Sequence, residues 1–206
     1  QLTELQTQED LFVIVTSDHG EAFREHGLLF HGRTLYNEEI RVPLFIRGPS
    51  LPATDVLTPV GLIDLAPTIR SLVGLPVQST DGIDLTHLAH DREKHRASPL
   101  YSELLPYPRY NQHRLATISR DGRWKLIRNL TRHTIEMFDL SRDPREKNNR
   151  FSASHPTGQR LKNELERFVD GRTTRPGNTR TVDQSDHRAP VRLRQAVERK
   201  SDHSTL

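Results

Sequence analysis

An acid and an imidazole stand side by side in Asp18-His19-Gly20-Glu21. Both can reach one cation if the chain turns there, and Gly20 permits that turn. The competing reading has Asp18 capping the next short helix while His19 packs at a sheet edge. On these residues alone the two readings balance. Two more histidines, His26 and His31, bring the total to three within thirteen residues. Histidine suits an anionic oxygen ligand because it can donate a hydrogen bond, carry positive charge or exchange a proton near neutral pH. For His26 the plainer role is to satisfy loop backbone groups. His31 is set apart by the segment that follows it, in which Arg33 offers a second cation for an oxyanion. Arg41, just before Val42-Pro43, is expected to tie a loop to the sheet. Lys125 is expected to be solvated or structural, because strand alternation puts Trp124 and Leu126 together on the opposite face.

These groups need elements to position them. Leu11 to Val15 (LFVIV) is continuously apolar, the pattern of a strand covered on both faces, and it stops abruptly at Thr16-Ser17-Asp18-His19-Gly20. In open α/β sheets the ligand crevice lies outside the carboxyl ends of the strands, which is where Asp18 and His19 would sit. A second strand is expected at Pro43 to Arg47, closed by Gly48-Pro49. From Asp64 the pattern predicts a capped helix with Leu65, Ile69, Leu72 and Val73 on one face and Gly74 as its stop. Beyond a charged stretch the periodicity shortens. Leu115 to Ser119 and Trp124 to Ile127 flank Arg120-Asp121-Gly122-Arg123 as a hairpin, and Thr134 to Phe138 adds a third strand. Gln159 to Val169 reads as a helix with Leu161, Leu165, Phe168 and Val169 inward.

Composition narrows the function classes. The 206 residues contain no cysteine, which excludes disulfides, thiolate metal sites and cysteine nucleophiles within them. The net charge is +3, but residues 171–206 hold eight Lys/Arg against four Asp/Glu, so that stretch is +4 and the rest is −1. The high pI therefore belongs to the tail, and no nucleic-acid partner is expected for the body. The tail has no aromatic residue and is expected to be disordered, with a helical turn around Arg192 to Lys200. No apolar run approaches the length of a membrane span.

The phrases TSDHGE, EHG, HGRTLYNEEIRVPLFIRGP, DLAPTIRSLVGLP, DGIDL, GRWKLI and MFDLSRDPREKNN occur in this order across roughly residues 10–150. In them the chain resembles the sulfatase family of the alkaline-phosphatase superfamily. The resemblance implies an α/β fold: residues 1–95 as the C-terminal part of an alkaline-phosphatase-like catalytic sheet domain, 96–170 as a small antiparallel subdomain with a packing helix, and 171–206 as the basic tail. It implies that Asp18 and His19 are metal ligands. The ion would be calcium by family habit, although an imidazole ligand leans toward zinc or manganese. Many sulfatases place a lysine four residues before the aromatic of the segment ending at Tyr36. Gly32 stands there in this chain, and His31 one position earlier takes the substrate-oxyanion or leaving-group role, with Arg33 as a possible substitute. Asp139, Asp143 and Glu146 match a turn-and-cap signature of the family, so no second metal is expected there.

The implied activity is hydrolysis of a sulfate ester on a small molecule or glycan. Sulfatases use a formylglycine nucleophile made from Cys in CxPxR, and this would have to lie outside this chain. Ser154-His155-Pro156-Thr157 is no substitute, since Gly158 stands where Arg is required. The expectation is a C-terminal portion of a longer sulfatase that is incomplete alone. Two alternatives remain open: a phosphodiester or phosphonate hydrolase or phosphoglycerol-type transferase of the same superfamily, and a non-catalytic anion-binding chain acting through its basic tail.

Overall fold

The aliphatic run after Leu11 becomes β1 (Val13–Thr16), which pairs antiparallel with β4 (Leu44–Arg47), Val13 opposite Arg47 and Thr16 opposite Leu44. The computed structural model describes residues 11–76, 80–91, 99–106, 108, 110–173 and 194–196. Burial of β1 departs from expectation. Val15 and its partner Phe45 are 52% and 67% exposed, because among the described residues nothing covers the face of this two-stranded ladder that carries them.

Between these strands lie a two-residue hairpin, β2 (Ala22–Phe23) with β3 (Leu29–Phe30), and the single-turn helix α1 (Asn37–Ile40). Further on, a 3-10 turn at Leu62–Asp64 runs into α2 (Leu65–Leu72), followed by α3 (Thr86–His90). Asp64 does serve as a cap, but of the 3-10 turn: fully buried, it accepts the Gly61 N–H at 2.8 Å and the Ile83 N–H at 2.9 Å. Gly74, at φ +71, ends the helix where predicted. The predicted inward face of α2 is corrected, since Ile69 and Val73 are 44% and 55% exposed while Pro67 and Thr68 are buried. Thr68 turns inward because its hydroxyl is bonded on both sides, donating to the Asp64 carbonyl at 2.6 Å and accepting the Leu85 N–H at 2.9 Å.

The larger sheet has five strands in the order β8-β7-β6-β5-β9: β5 (Leu100–Leu104), β6 (Arg114–Ile118), β7 (Trp124–Asn129), β8 (Thr134–Asp139) and β9 (Arg194–Ala196). Every neighbouring pair is antiparallel. The β6–β7 hairpin turns as predicted, with Gly122 at φ +71 and its N–H bonded to the Ser119 carbonyl. β9 replaces the helical turn expected in the tail; the remainder of the tail beyond Thr173 lies outside the described residues. The last helix, α4 (Pro156–Thr173), buries Leu161, Leu165 and Phe168.

Alternation along the strands gives the sheet two apolar faces. Tyr101, Leu115 and Leu126 meet Leu161, Leu165 and Phe168 of α4. On the opposite face Ala116, Ile127 and Phe138 meet Leu35 and Ile40, the residues that flank and end α1. The sheet therefore serves as the floor on which the His31–Ile40 segment stands.

Candidate active site

The Asp18–His19 turn and the His31 loop are separated along the chain by the β2–β3 hairpin and are adjacent in space. The imidazoles of His19 and His31 stack with centroids 3.9 Å apart at 27°. His19 Nδ1 lies 2.7 Å from the Gly20 carbonyl, which makes Nδ1 the protonated nitrogen and leaves the Nε2 lone pair available. Asp18 Oδ2 is 3.9 Å from that Nε2, and the Asp18 side chain is 88% exposed. His31 is oriented from its other side: Nδ1 sits 3.2 Å from Glu21 Oε2. Carboxylate, imidazole, imidazole and carboxylate thus follow one another in space.

The sequence supplied Asp18, His19 and His31 but left Glu21 without a role. Its signal was present, since Glu21 closes the same tetrapeptide as Asp18. Its second oxygen, Oε1, is buried without a hydrogen bond.

One oxygen and one nitrogen donor converging at a strand end fit the first two ligands of a divalent cation. They do not complete a shell. Among the described residues no group of three or more His, Asp or Glu side chains forms a metal-binding cluster.

Arg33 is held differently. Its guanidinium lies 4.3 Å over the Tyr110 ring and donates from Nη2 to the Tyr110 hydroxyl, while its Nε is buried without a partner. Tyr110 belongs to the β5–β6 connection and carried no signal that sequence reasoning could use.

His26 takes the backbone-satisfying role. Its Nε2 is 3.0 Å from the Glu146 carbonyl, its Nδ1 is 2.6 Å from Glu38 Oε1, and its ring stacks on Tyr36 at 3.7 Å. The Tyr36 hydroxyl donates to Glu136 at 2.8 Å; burial, together with that carboxylate, raises its pKa well above the ordinary phenol value. Arg41 ends α1 with its side chain exposed, and its N–H returns to the Asn37 carbonyl. Together with Asn37, Ser102, Asp121 and Arg123 it lines a cavity of about 710 Å³ between α1 and the β6–β7 turn.

Glu39 does most to shape the loop. It is fully buried and accepts three bonds: from the Arg33 N–H at 3.0 Å, the Thr34 N–H at 3.0 Å and the Thr34 hydroxyl at 2.6 Å. Its own carbonyl accepts the Gly20 N–H at 2.8 Å. One residue of α1 therefore indexes both the Asp18–His19 turn and the His31 loop.

Lys125 is structural, and the solvated alternative is excluded. It is fully buried, 2.7 Å from Glu146 Oε1 and 3.1 Å from Asn37 Oδ1, and burial lowers its pKa from the ordinary lysine value. Glu146 caps α1 by accepting the Asn37 N–H at 2.6 Å, the capping use expected of that stretch. Ser154 precedes α4, on the sheet face opposite the His31 segment, which agrees with its rejection as a nucleophile.

The family profile described as "N-sulphoglucosamine sulphohydrolase, C-terminal" matches residues 24–171. A choline-sulfatase of Rhizobium meliloti (strain 1021) is 30% identical over 161 residues, which is 76% of this chain and 30% of that protein. Human arylsulfatase K is 31% identical over 156 residues, 72% of this chain and 29% of that protein. A solved structure of a protein in complex with its substrate D-glucosamine-2-N,6-O-disulfate superposes with a TM-score of 0.66 at 27% identity, covering 82% of this chain and 36% of that one. The chain thus spans about a third of the length of these relatives.

Proposed function

This chain belongs to the sulfatase family, and on that premise we propose that it supplies the metal-side and leaving-group-side residues of a sulfuric ester hydrolase. The observation that carries the proposal is the stacking of His31 on His19, which joins the leaving-group imidazole to the ligand pair. Asp18 and His19 are the two cation ligands this chain contributes. The bound ion, calcium by family habit, supplies polarisation of the sulfate oxygens. The nucleophile comes from outside these residues, which contain no cysteine.

His31 acts on the leaving oxygen. Its Nδ1–H donates to Glu21, which orients the ring with Nε2 toward the ester. In the imidazolium form, which carries a proton on each nitrogen, Nε2–H hydrogen-bonds to the departing oxygen and gives it the proton, leaving the neutral ring with its Nδ1–H on Glu21. Glu21 is a positioning residue. Arg33, braced by Tyr110, is the second cation this reading assigns to the substrate's anionic oxygens. The substrate class is a sulfated small molecule or sugar, in keeping with the sulfated glucosamine bound in the structural relative.

The test uses the protein expressed from its full reading frame and a chromogenic aryl sulfate. Asp18→Ala is expected to abolish metal-dependent turnover. His31→Ala is expected to lower kcat by about 10²-fold or more, the usual scale of general acid catalysis. Undiminished activity in either variant removes the corresponding assignment. Faster turnover of an aryl phosphodiester than of the sulfate would move the protein to the phosphodiesterase reading.

A further inference from the structure

We propose that the buried Lys125–Glu146 ion pair, with Asn37, is a positioning device for the active site, acting through α1. The inference rests on the assignment of His19 and His31 above. Both charged side chains are fully buried, at 2.7 Å. Such a pair is weak support for stability by itself, because desolvation offsets much of the Coulomb gain, and its best-attested use is to fix registry.

Here the registry is specific. Lys125 is the second residue of β7, which is hydrogen-bonded to strands on both sides, and Glu146 follows β8, so the pair is anchored to the sheet that forms the floor. On the other side it grips α1 and the loop that carries His26. Lys125 donates to Asn37 Oδ1 at 3.1 Å, and Glu146 Oε2 accepts the Asn37 N–H at 2.6 Å. The Glu146 carbonyl meets His26 Nε2 at 3.0 Å, and His26 returns to Glu38 at 2.6 Å.

α1 then hands the position on. Glu39 holds the Arg33 and Thr34 amides and the Gly20 N–H. A Cβ on Gly20 would lie 2.1 Å from the Glu38 carbonyl oxygen, so the turn bearing His19 is seated directly on α1. Asn37 is thus the point where the sheet sets the height and rotation of α1, and α1 sets the spacing of His19 and His31. A shift of about 1 Å there is large enough to cost about 10²-fold in rate.

Two variants of the whole protein test this. Lys125→Met with Glu146→Gln removes both charges at similar volume and keeps an amide oxygen for the Asn37 N–H. Asn37→Ala leaves the ion pair intact and removes only the side-chain grip. The double variant is expected to lower kcat by about 10²-fold with KM within about threefold. Asn37→Ala is expected to lower kcat about tenfold in a protein that stays folded at the assay temperature. In both, amide exchange at Gly20, Arg33 and Thr34 is expected to speed up while the β6–β7 ladder stays protected. Unchanged kcat in folded variants overturns the proposal, as does a loss that tracks the folded fraction with exchange rising uniformly. If the parent protein hydrolyses no sulfate ester, the activity assignment fails instead. The exchange pattern then decides the positioning claim on its own, a uniform pattern overturning it.

Discussion

Replacing Glu39 with Gln is expected to loosen the His31 loop without unfolding the protein. The carboxylate is fully buried and faces three donors: the Arg33 N–H, the Thr34 N–H and the Thr34 hydroxyl. A glutamine keeps one carbonyl oxygen, enough for the two bonds from Thr34. Its amide nitrogen must then face the Arg33 N–H, donor against donor. A hydrogen bond to a charged group contributes about 1.5–3 kcal/mol, and a buried donor left unmet costs about 1–3 kcal/mol. The two quantities overlap, so the expected loss is about 3 kcal/mol. Domains have about 5–15 kcal/mol to lose, so the fold survives while the loop opens more often. The readout is hydrogen exchange in the intact protein: about 3 kcal/mol of local stability corresponds to roughly 150-fold faster exchange of the Arg33 and Thr34 amides. Peptides from β6 and β7, which do not depend on Glu39, are expected to exchange as in the parent. Parent-like protection across 31–36, or an equal acceleration in β6 and β7, would refute the claim that Glu39 organises this loop locally.

Gly20→Ala places a methyl 2.1 Å from the Glu38 carbonyl oxygen, a backbone atom that cannot rotate away. A loss of about 3 kcal/mol is expected, at the upper end for overpacking, and thermal unfolding measures it. Acid titration tests the Arg123–Asp139 pair, in which the guanidinium 2.9 Å from the carboxylate, with help from Ser141, holds Asp139 down to about 2. Because the folded pKa is depressed, this stabilisation is present above the ordinary aspartate value and is lost as the pH falls from about 4 toward 2. Holding the carboxyl near 2 instead of 3.8 corresponds to about 2.4 kcal/mol at full strength. Arg123 is 46% exposed, so screening reduces this to ~1 kcal/mol. Arg123→Met is expected to flatten the acid limb of the stability curve by that amount between pH 4 and 2, and an unaltered limb would show the pair to be energetically silent.

The sequence was informative wherever the controlling interaction is local. The hairpin at Arg120–Arg123 was legible because a glycine at positive φ is a requirement of the turn itself, and Gly122 has φ +71. The α4 stripe was legible because Leu161, Leu165 and Phe168 recur at helical spacing, and all three are buried. Asp18 and His19 were legible as neighbours at the end of an apolar strand. Lys125 shows where local reasoning stopped. Alternation correctly put it opposite Trp124 and Leu126, but that its own face is dry depends on Asn37, 88 residues earlier in the chain. The same holds for Glu146, whose capped helix begins 109 residues before it. α2 fails in the opposite direction: its apolar spacing is helical, yet a pattern cannot say what covers it, and Ile69 and Val73 stand exposed.

The dependence of the site on distant residues follows from the size of α1. Four residues form barely one turn, and nucleation makes so short a helix unstable in isolation. Its order must therefore come from bonds made to other elements. Asn37 draws it from Lys125 and Glu146, Ile40 from the core it shares with Ile127 and Phe138, and Glu39 passes it to the Arg33–Thr34 loop and to Gly20. The Asp18–His19 turn is tied to the five-stranded sheet through α1 and through the His31 loop that α1 holds. The small antiparallel sheet is thus more than an appended subdomain: it determines where the candidate ligands stand relative to the candidate acid. A substitution at Lys125 of β7 is consequently expected to affect the chemistry more than one on the exposed face of α2, although α2 lies closer to His31 in sequence.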